Sequence, residues 1–283
     1  MQQSNTATLQ RYFNLSAEEA VPHLLDHDIG VRQSPIDIRH TMAVFDPALD
    51  ESSLRFDYRS TDLIEIVNPG SNWTVRVADG PGEGSTFSAS HLPSPGKYRL
   101  AQFHCHWGSN PWNGSEHLVL GRGYAAELHF VHYNQKYGTV DNAMKHEDGL
   151  AVVAVFLDES PMANDNPHLV RLLKCMPKLR QKGERLPFPR DFDAAQLLPA
   201  NKAFWTYSGS LTTPPYSECV IWTILKDPIP ISFGQASSAA AYLQEMRNVV
   251  PSNVRREQKI KTHVVRSSFE LGGRVFRQKT WEG

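Results

Sequence analysis

Cysteine is scarce in this chain: Cys105, Cys175 and Cys219 are its three. Three cysteines cannot build a disulfide framework, and no Cys-x-x-Cys pair offers a redox motif or half of a thiolate zinc site. An excess of one charge is missing too. Lys and Arg number 29 against 30 Asp and Glu, a net charge of −1. That balance gives no basic surface to attract nucleic acid, and no run of like charge reads as a tail. Long apolar runs are also lacking. The longest, Leu150 to Leu157, falls far short of the roughly 20 residues that span a bilayer. Met1 to Gln10 is polar and has no apolar segment, so it does not read as a secretory signal. The cytoplasm is the expected location, and a monomer is the expected state. No repeat, heptad or break in composition divides the chain.

What is present is alternation. Hydrophobic residues make up 40% and charged residues 21%, which fits a soluble globular domain. Leu54 to Tyr58, Ile64 to Val67 and Trp73 to Val77 alternate apolar with polar, and Asn68-Pro69-Gly70-Ser71 joins the last two like a hairpin turn. Residues 79–97 are rich in Gly, Pro and Ser and read as loop. Arg99 to Trp107 and Ala125 to Tyr133 are alternating strands, and Gly149 to Leu157 reads as a strand buried on both faces. Asn166-Pro167 is an N-cap and first helical residue, with Pro177 marking an end or kink. Val220 to Leu225 is a further strand. Ser16 with Glu19, and Ser232 with Gln235, suggest capping boxes, the second before a helix to about Arg247. One mostly-β domain is the simplest reading.

In a strand, residues i and i+2 share a face. In Gln102-Phe103-His104-Cys105-His106-Trp107-Gly108, His104 and His106 therefore look the same way, with Gln102 beside them, while Cys105 points away. Such a pair alone more often packs than binds. A third imidazole comes from Glu127-Leu128-His129-Phe130-Val131, in which Glu127, His129 and Val131 share a face. Three imidazoles with no thiolate leave one tetrahedral position open, the mark of a catalytic rather than a structural zinc site. Gln102 and Glu127 are placed to hold the outer ring nitrogens and fix the tautomers.

These stretches, with Gly114-Ser115-Glu116-His117, Ser210-Leu211-Thr212-Thr213-Pro214-Pro215 and Gln33-Ser34-Pro35-Ile36-Asp37-Ile38, closely resemble the α-class carbonic anhydrases. The resemblance runs from about residue 28 to the C-terminus. It implies a carbonic anhydrase domain over 28–283, behind a loosely structured extension over 1–27. The implied fold is mainly β (α+β): a large, twisted, mostly antiparallel sheet flanked by short helices. The implied function is a zinc-dependent carbonate dehydratase interconverting CO2 and bicarbonate by attack of zinc-bound hydroxide. His104, His106 and His129 would hold the Zn2+. Thr212 would accept a hydrogen bond from the hydroxide and give its own proton to Glu116. Thr213 would seat bicarbonate, and Val131, Val152, Leu211, Val220 and Trp222 would line the apolar wall where CO2 rests. Aromatic sulfonamides and small anions are the expected inhibitors.

The chain also departs from that family. Ser71 stands where fast members carry a histidine that passes protons to buffer, and a serine hydroxyl cannot hold a proton near neutral pH. Turnover is therefore expected to be slowed at proton transfer. Tyr12 and Phe13 are at most a remnant of the family's aromatic N-terminal stretch. The family's C-terminal motif is degraded within Asn248 to Glu257, which puts in doubt a backbone carbonyl that orients one zinc histidine. Cys105 replaces a phenylalanine, expected to be a packing change only. The disulfide of secreted members is absent, its positions falling at about Asp28 and at Tyr216. The rival reading is a catalytically silent carbonic-anhydrase-related binding protein. Such proteins lose zinc histidines, and this chain keeps all three.

Overall fold

The alternating segments pair into sheets. The computed structural model describes residues 30–78, 84–93, 97–160, 164–232 and 239–271. The capping residues Ser16, Glu19 and Gln235, together with Tyr12 and Phe13, lie outside them. Along the described chain run β1 (Asp37–Ile38), β2 (Ala43–Phe45), β3 (Arg55–Asp57), β4 (Leu63–Val67), β5 (Thr74–Val77), β6 (Thr86–Ser88), β7 (Tyr98–Trp107) and β8 (Leu118–Val119). Then come β9 (Ala126–Asn134), β10 (Leu150–Ser160), β11 (Arg185–Pro187), β12 (Phe204–Gly209), β13 (Val220–Leu225), β14 (Ile229–Ser232) and β15 (Val265–Ser267). Thirteen of them form one sheet in the order β11-β4-β5-β7-β9-β10-β13-β12-β15-β2, with β3, β6 and β14 attached at its sides. Most neighbours are antiparallel. β10 runs parallel to β13 and β14, and β15 runs parallel to β2.

β10 explains why the sheet has two cores. It lies between antiparallel β9 and parallel β13 and is covered on both faces. Ala151, Val153, Val155 and Leu157 enter one apolar cluster, and Leu150, Val152, Ala154 and Phe156 enter the other. Its continuous apolar run is what a doubly covered strand requires. β7 divides differently. Phe103, Cys105 and Trp107 pack into the first cluster, while Gln102, His104 and His106 are buried on the opposite face. Cys105 points away from the histidines as expected, and burial pushes its thiol pKa up. Above this face, a register shift between Leu100 and Gln102 sets the pairing of β7 with β9.

The turn at Asn68-Pro69-Gly70-Ser71 joins β4 to β5 as expected. Asn68 braces it: Oδ1 accepts the Gly70 N–H at 2.7 Å, and Nδ2 donates to Leu179 O at 2.7 Å. Gly70 has φ of 128°, a conformation that favours glycine. The helix capped by Asn166 spans Pro167–Leu173, with Leu169, Leu172 and Leu173 buried. A 3-10 turn at Met176–Lys178 takes up Pro177. A helix at Ala239–Val249 lies within the stretch where the second was expected, but Ser232 does not stand as its cap: it ends β14, and its hydroxyl donates to Asp165 Oδ2 at 2.8 Å.

Several short elements were not foreseen from the sequence, β2, β8, β11 and β14 among them, and two further segments show why. Residues 86–88, expected as loop, form β6, which pairs with β3 and β7 around the fully buried Phe87. A single buried aromatic holds this short strand, so no alternation marks it. β12 was not foreseen either, because Phe204-Trp205-Thr206-Tyr207 is buried throughout and shows no period.

Candidate metal centre

β7 and β9 bring the three histidines together by register. His104 sits directly opposite His129, and His106 opposite Glu127. The ring centroids lie 4.9 Å apart for His104–His106, 5.3 Å for His104–His129 and 4.7 Å for His106–His129. One nitrogen from each ring falls within 4.8 Å of the others. His104 Nε2 and His106 Nε2 are only 3.0 Å apart. All three rings are buried.

Each remaining ring nitrogen is held. His104 Nδ1–H donates to Gln102 Oε1 at 2.9 Å, and His129 Nε2–H to Glu127 Oε1 at 2.7 Å. His106 Nδ1–H donates to the Asn253 carbonyl at 3.0 Å. The doubt over the degraded Asn248–Glu257 segment is thereby resolved against the sequence reading. A main-chain carbonyl depends on where the backbone runs, and Asn253 delivers one although the surrounding motif has changed. These bonds leave His104 Nε2, His106 Nε2 and His129 Nδ1 as the nitrogens turned toward one another. Burial drives the pKa of His104 well down, and neighbouring His106 and His129 add to the effect. Burial also lowers His106, against an opposing pull from Glu116. Neutral imidazole is the form that ligates a metal.

Glu127 does more than the sequence suggested. Its Oε1 also takes the His117 Nδ1–H at 2.7 Å, and its Oε2 takes the backbone N–H groups of Glu116 and His117 at 2.9 and 2.8 Å. Burial alone raises the Glu127 carboxyl, but His117 and His129 outweigh it and hold it below the ordinary carboxylate range. Both Glu127 oxygens are occupied by four donors, one of them His129, which leaves the carboxylate little capacity for an ion, although His117, Glu127 and His129 cluster closely enough to hold one. Beyond it, His117 Nε2 lies 2.7 Å from the Tyr207 hydroxyl, which lies 2.9 Å from Ser34 Oγ. This buried chain through His117, Tyr207 and Ser34 was missed. Its only trace in the sequence is the Glu116-His117 pair.

Glu116 stands beside the three histidines. Its Oε1 accepts the Arg255 N–H at 2.8 Å. Its Oε2 is buried without a partner, 3.4 Å from His106 Nε2 and 3.9 Å from His129 Nδ1. Thr212 is buried and Thr213 half-buried. The apolar residues form a row: Val152 pairs with Val131 on β9 and with Trp222 on β13. Val220 and Leu211 belong to the same buried cluster, and the Trp222 ring lies 4.9 Å from that of His129.

Ser71 is half-buried at the end of its turn, and its carbonyl accepts from Asn253 Nδ2 at 2.9 Å. The other histidines with described partners are engaged elsewhere. His91 bonds Thr223, His132 bonds Tyr58 and His263 bonds Gln33 O. His146 stacks on Tyr137, and His168 packs against Phe192.

A large, mainly antiparallel sheet carrying three histidines on two neighbouring strands defines a class. The family model for eukaryotic-type carbonic anhydrase matches residues 23–269, and the chain belongs to that family. Among curated relatives, carbonic anhydrase 3 of Homo sapiens is 40% identical over 248 residues, covering 85% of this chain and 91% of that protein. Carbonic anhydrase 3 of Rattus norvegicus gives the same identity and coverage. Carbonic anhydrase 3 of Bos taurus is 39% identical over 245 residues, again covering 85% and 91%. The chain is thus an enzyme of the carbonic anhydrase type, and interconversion of CO2 and bicarbonate is the family's general reaction. No helix of the described residues is long and apolar enough to cross a membrane.

Proposed function

We propose that this chain is a zinc-dependent carbonate dehydratase in which attack on CO2 is intact and proton export is slow. The observation that carries the reading is the convergence of three ring nitrogens whose opposite nitrogens are all bonded. Three neutral imidazoles without a thiolate suit zinc and leave a position open. His104 Nε2, His106 Nε2 and His129 Nδ1 would hold the ion. When bound, zinc supplies Lewis-acid activation of water at neutral pH, the chemistry for which carbonic anhydrases are the standard case.

The chain's own residues supply the rest. Glu116 Oε2, buried and unpartnered, is an acceptor waiting for a hydroxyl. Thr212 would donate to it, which leaves the Thr212 oxygen as an acceptor only. A donor arriving beside Thr212 is then fixed in orientation, a positioning effect. Val131, Val152, Leu211, Val220 and Trp222 would take the substrate. CO2 brings no strong polar group to satisfy, so an apolar wall suits it. Thr213 would offer bicarbonate a polar contact. Ser71 occupies the exit for protons but has no group that titrates near neutrality.

We also read the protein as cytoplasmic. Its cysteines are unpaired, with Cys105 and Cys219 buried. The test of the functional reading is stopped-flow CO2 hydration by metal-analysed protein, with and without an aromatic sulfonamide. One zinc per chain and sulfonamide-sensitive hydration are expected. Stoichiometric zinc without hydration would support the silent binding protein, and absence of zinc would overturn the metalloenzyme reading.

A further inference from the structure

Asn253 lies in an irregular stretch after the helix Ala239–Val249, yet it bonds the metal-bearing strand at every polar group it has. Its backbone N–H donates to Trp107 O at 3.1 Å. Its side-chain Oδ1 accepts the Trp107 N–H at 2.7 Å. Its Nδ2 donates to Cys105 O at 3.2 Å and to Ser71 O at 2.9 Å. Its own carbonyl receives His106 Nδ1–H. The reason lies in the sheet. β5 pairs with β7 only as far as Thr74 opposite His104. Past that point the β7 backbone has lost its strand neighbour on this side, and polar main-chain groups buried in a protein need partners. Asn253 stands in for the missing strand.

We propose that the Asn253 side chain is a positioning clamp. By bridging the main chain of Ser71 and of Cys105–Trp107, it fixes its own carbonyl against His106 and ties the Ser71 turn to a metal ligand. The amide is needed rather than merely a side chain of its size. One end must accept from Trp107 while the other donates to two carbonyls, which a carboxylate cannot do. The turn and the ligand are then one mechanical unit, so that a shift of the turn alters the aim of His106. This inference rests on the zinc reading above, and its test is arranged so that the two can fail separately.

The full chain is loaded with zinc, and transfer of the metal to dipicolinate is followed at a temperature where each variant is folded. Asn253→Ala and Asn253→Asp are expected to lose zinc about 10-fold or more faster than the natural protein. Asn201→Ala, which removes an exposed amide bonded to Asp227, is expected to leave the rate unchanged. In the cobalt-substituted proteins, the two Asn253 variants should shift the visible bands, a change in ligand geometry that general destabilisation does not produce. Zinc loss within twofold of the natural protein, with unchanged cobalt bands, overturns the clamp. If the Asn253 variants do not fold, nitrogen-15 NMR of the natural protein decides. The Asn253 side-chain NH2 should exchange slowly with solvent, and exchange at the rate of a free amide overturns the proposal. Natural protein that binds no zinc defeats the zinc reading alone, since the exchange measurement still judges the clamp.

Discussion

The wall of β7 and β9 and the turn at Asn68–Ser71 are built on opposite terms. On the wall, every histidine is buried, every outer nitrogen is bonded, and two of the bonding partners, Glu127 and Asn253, are themselves held. At the turn, Asn68 and Gly70 fix the backbone, but the side chain presented is a half-buried serine with no useful pKa. The wall brings together three histidines that could hold a metal, and the turn contributes shape without an acid–base group. On the proposed function, the contrast would make capture of a nucleophile and disposal of its proton separate tasks, the first complete and the second reduced.

The largest effect should come from breaking the wall. His106→Ala removes one ligand nitrogen and is expected to abolish stoichiometric zinc and to lower CO2 hydration on the order of 10^3-fold or more, since activation of water is lost with the metal. Metal analysis and stopped-flow hydration check it together. If His106→Ala keeps one zinc per chain and its rate, the wall is not the centre of the chemistry.

Acid should attack the same wall from behind. His132 lies on the opposite face of β9, fully buried, with Nδ1–H donating to Ala151 O at 3.0 Å and Nε2 2.8 Å from the Tyr58 hydroxyl. Burial lowers its pKa to about 3. In the unfolded chain a histidine binds its proton near pH 6.5, so between 6.5 and 3 the unfolded state holds more protons than the folded one. Its contribution to stability is therefore complete above pH 6.5 and declines as pH falls toward 3. At about 1.4 kcal/mol per unit, two units of acidification cost about 3 kcal/mol. Urea melts between pH 7 and 4.5 should show this slope, and His132→Phe should flatten it. An equal slope in the variant would assign the acid sensitivity elsewhere.

Thr212→Val keeps the shape beside the metal and removes the hydroxyl. On the proposed function the Thr212 hydroxyl is what Glu116 Oε2, unpartnered in the structure, would accept from; without it orientation is lost while the histidines stay in place, and a drop of about 100-fold in kcat/KM with unchanged zinc content is expected. Loss of zinc in step with activity would instead make Thr212 part of the wall.

The readability of this molecule follows the same division. Residues whose role is set by strand period were legible: His104, His106, Gln102, His129 and Glu127 fall on the faces that alternation gives them. β10 was legible because its stretch covered on both faces, Leu150 to Leu157, is apolar throughout. What was not legible depends on distant backbone. β6 rests on the single buried Phe87, and the His106 acceptor is the Asn253 carbonyl, 147 residues away in sequence. Carbonyls are common to every residue, so composition cannot point to one. The His117–Tyr207 contact likewise joins side chains 90 residues apart whose pairing no local pattern marks.

The smallest effect, and the one that most sharpens the comparison, concerns Ser71. If the wall is complete and the exit reduced, restoring an imidazole at the exit should raise turnover without touching the metal. Ser71→His places a group that gains and loses a proton near pH 6.5 at the end of a turn that Asn68 already holds. An increase of about 10-fold in kcat is expected in weak buffer, at the low end for general acid–base catalysis. Zinc content and kcat/KM should stay the same, since the tie from the turn to Asn253 runs through the Ser71 carbonyl, which the substitution keeps. Added imidazole should raise the natural enzyme toward the variant and do little to the variant itself. A gain in kcat/KM, or no response to either change, would mean that proton transfer does not limit this enzyme and that the two regions do not divide the work in this way.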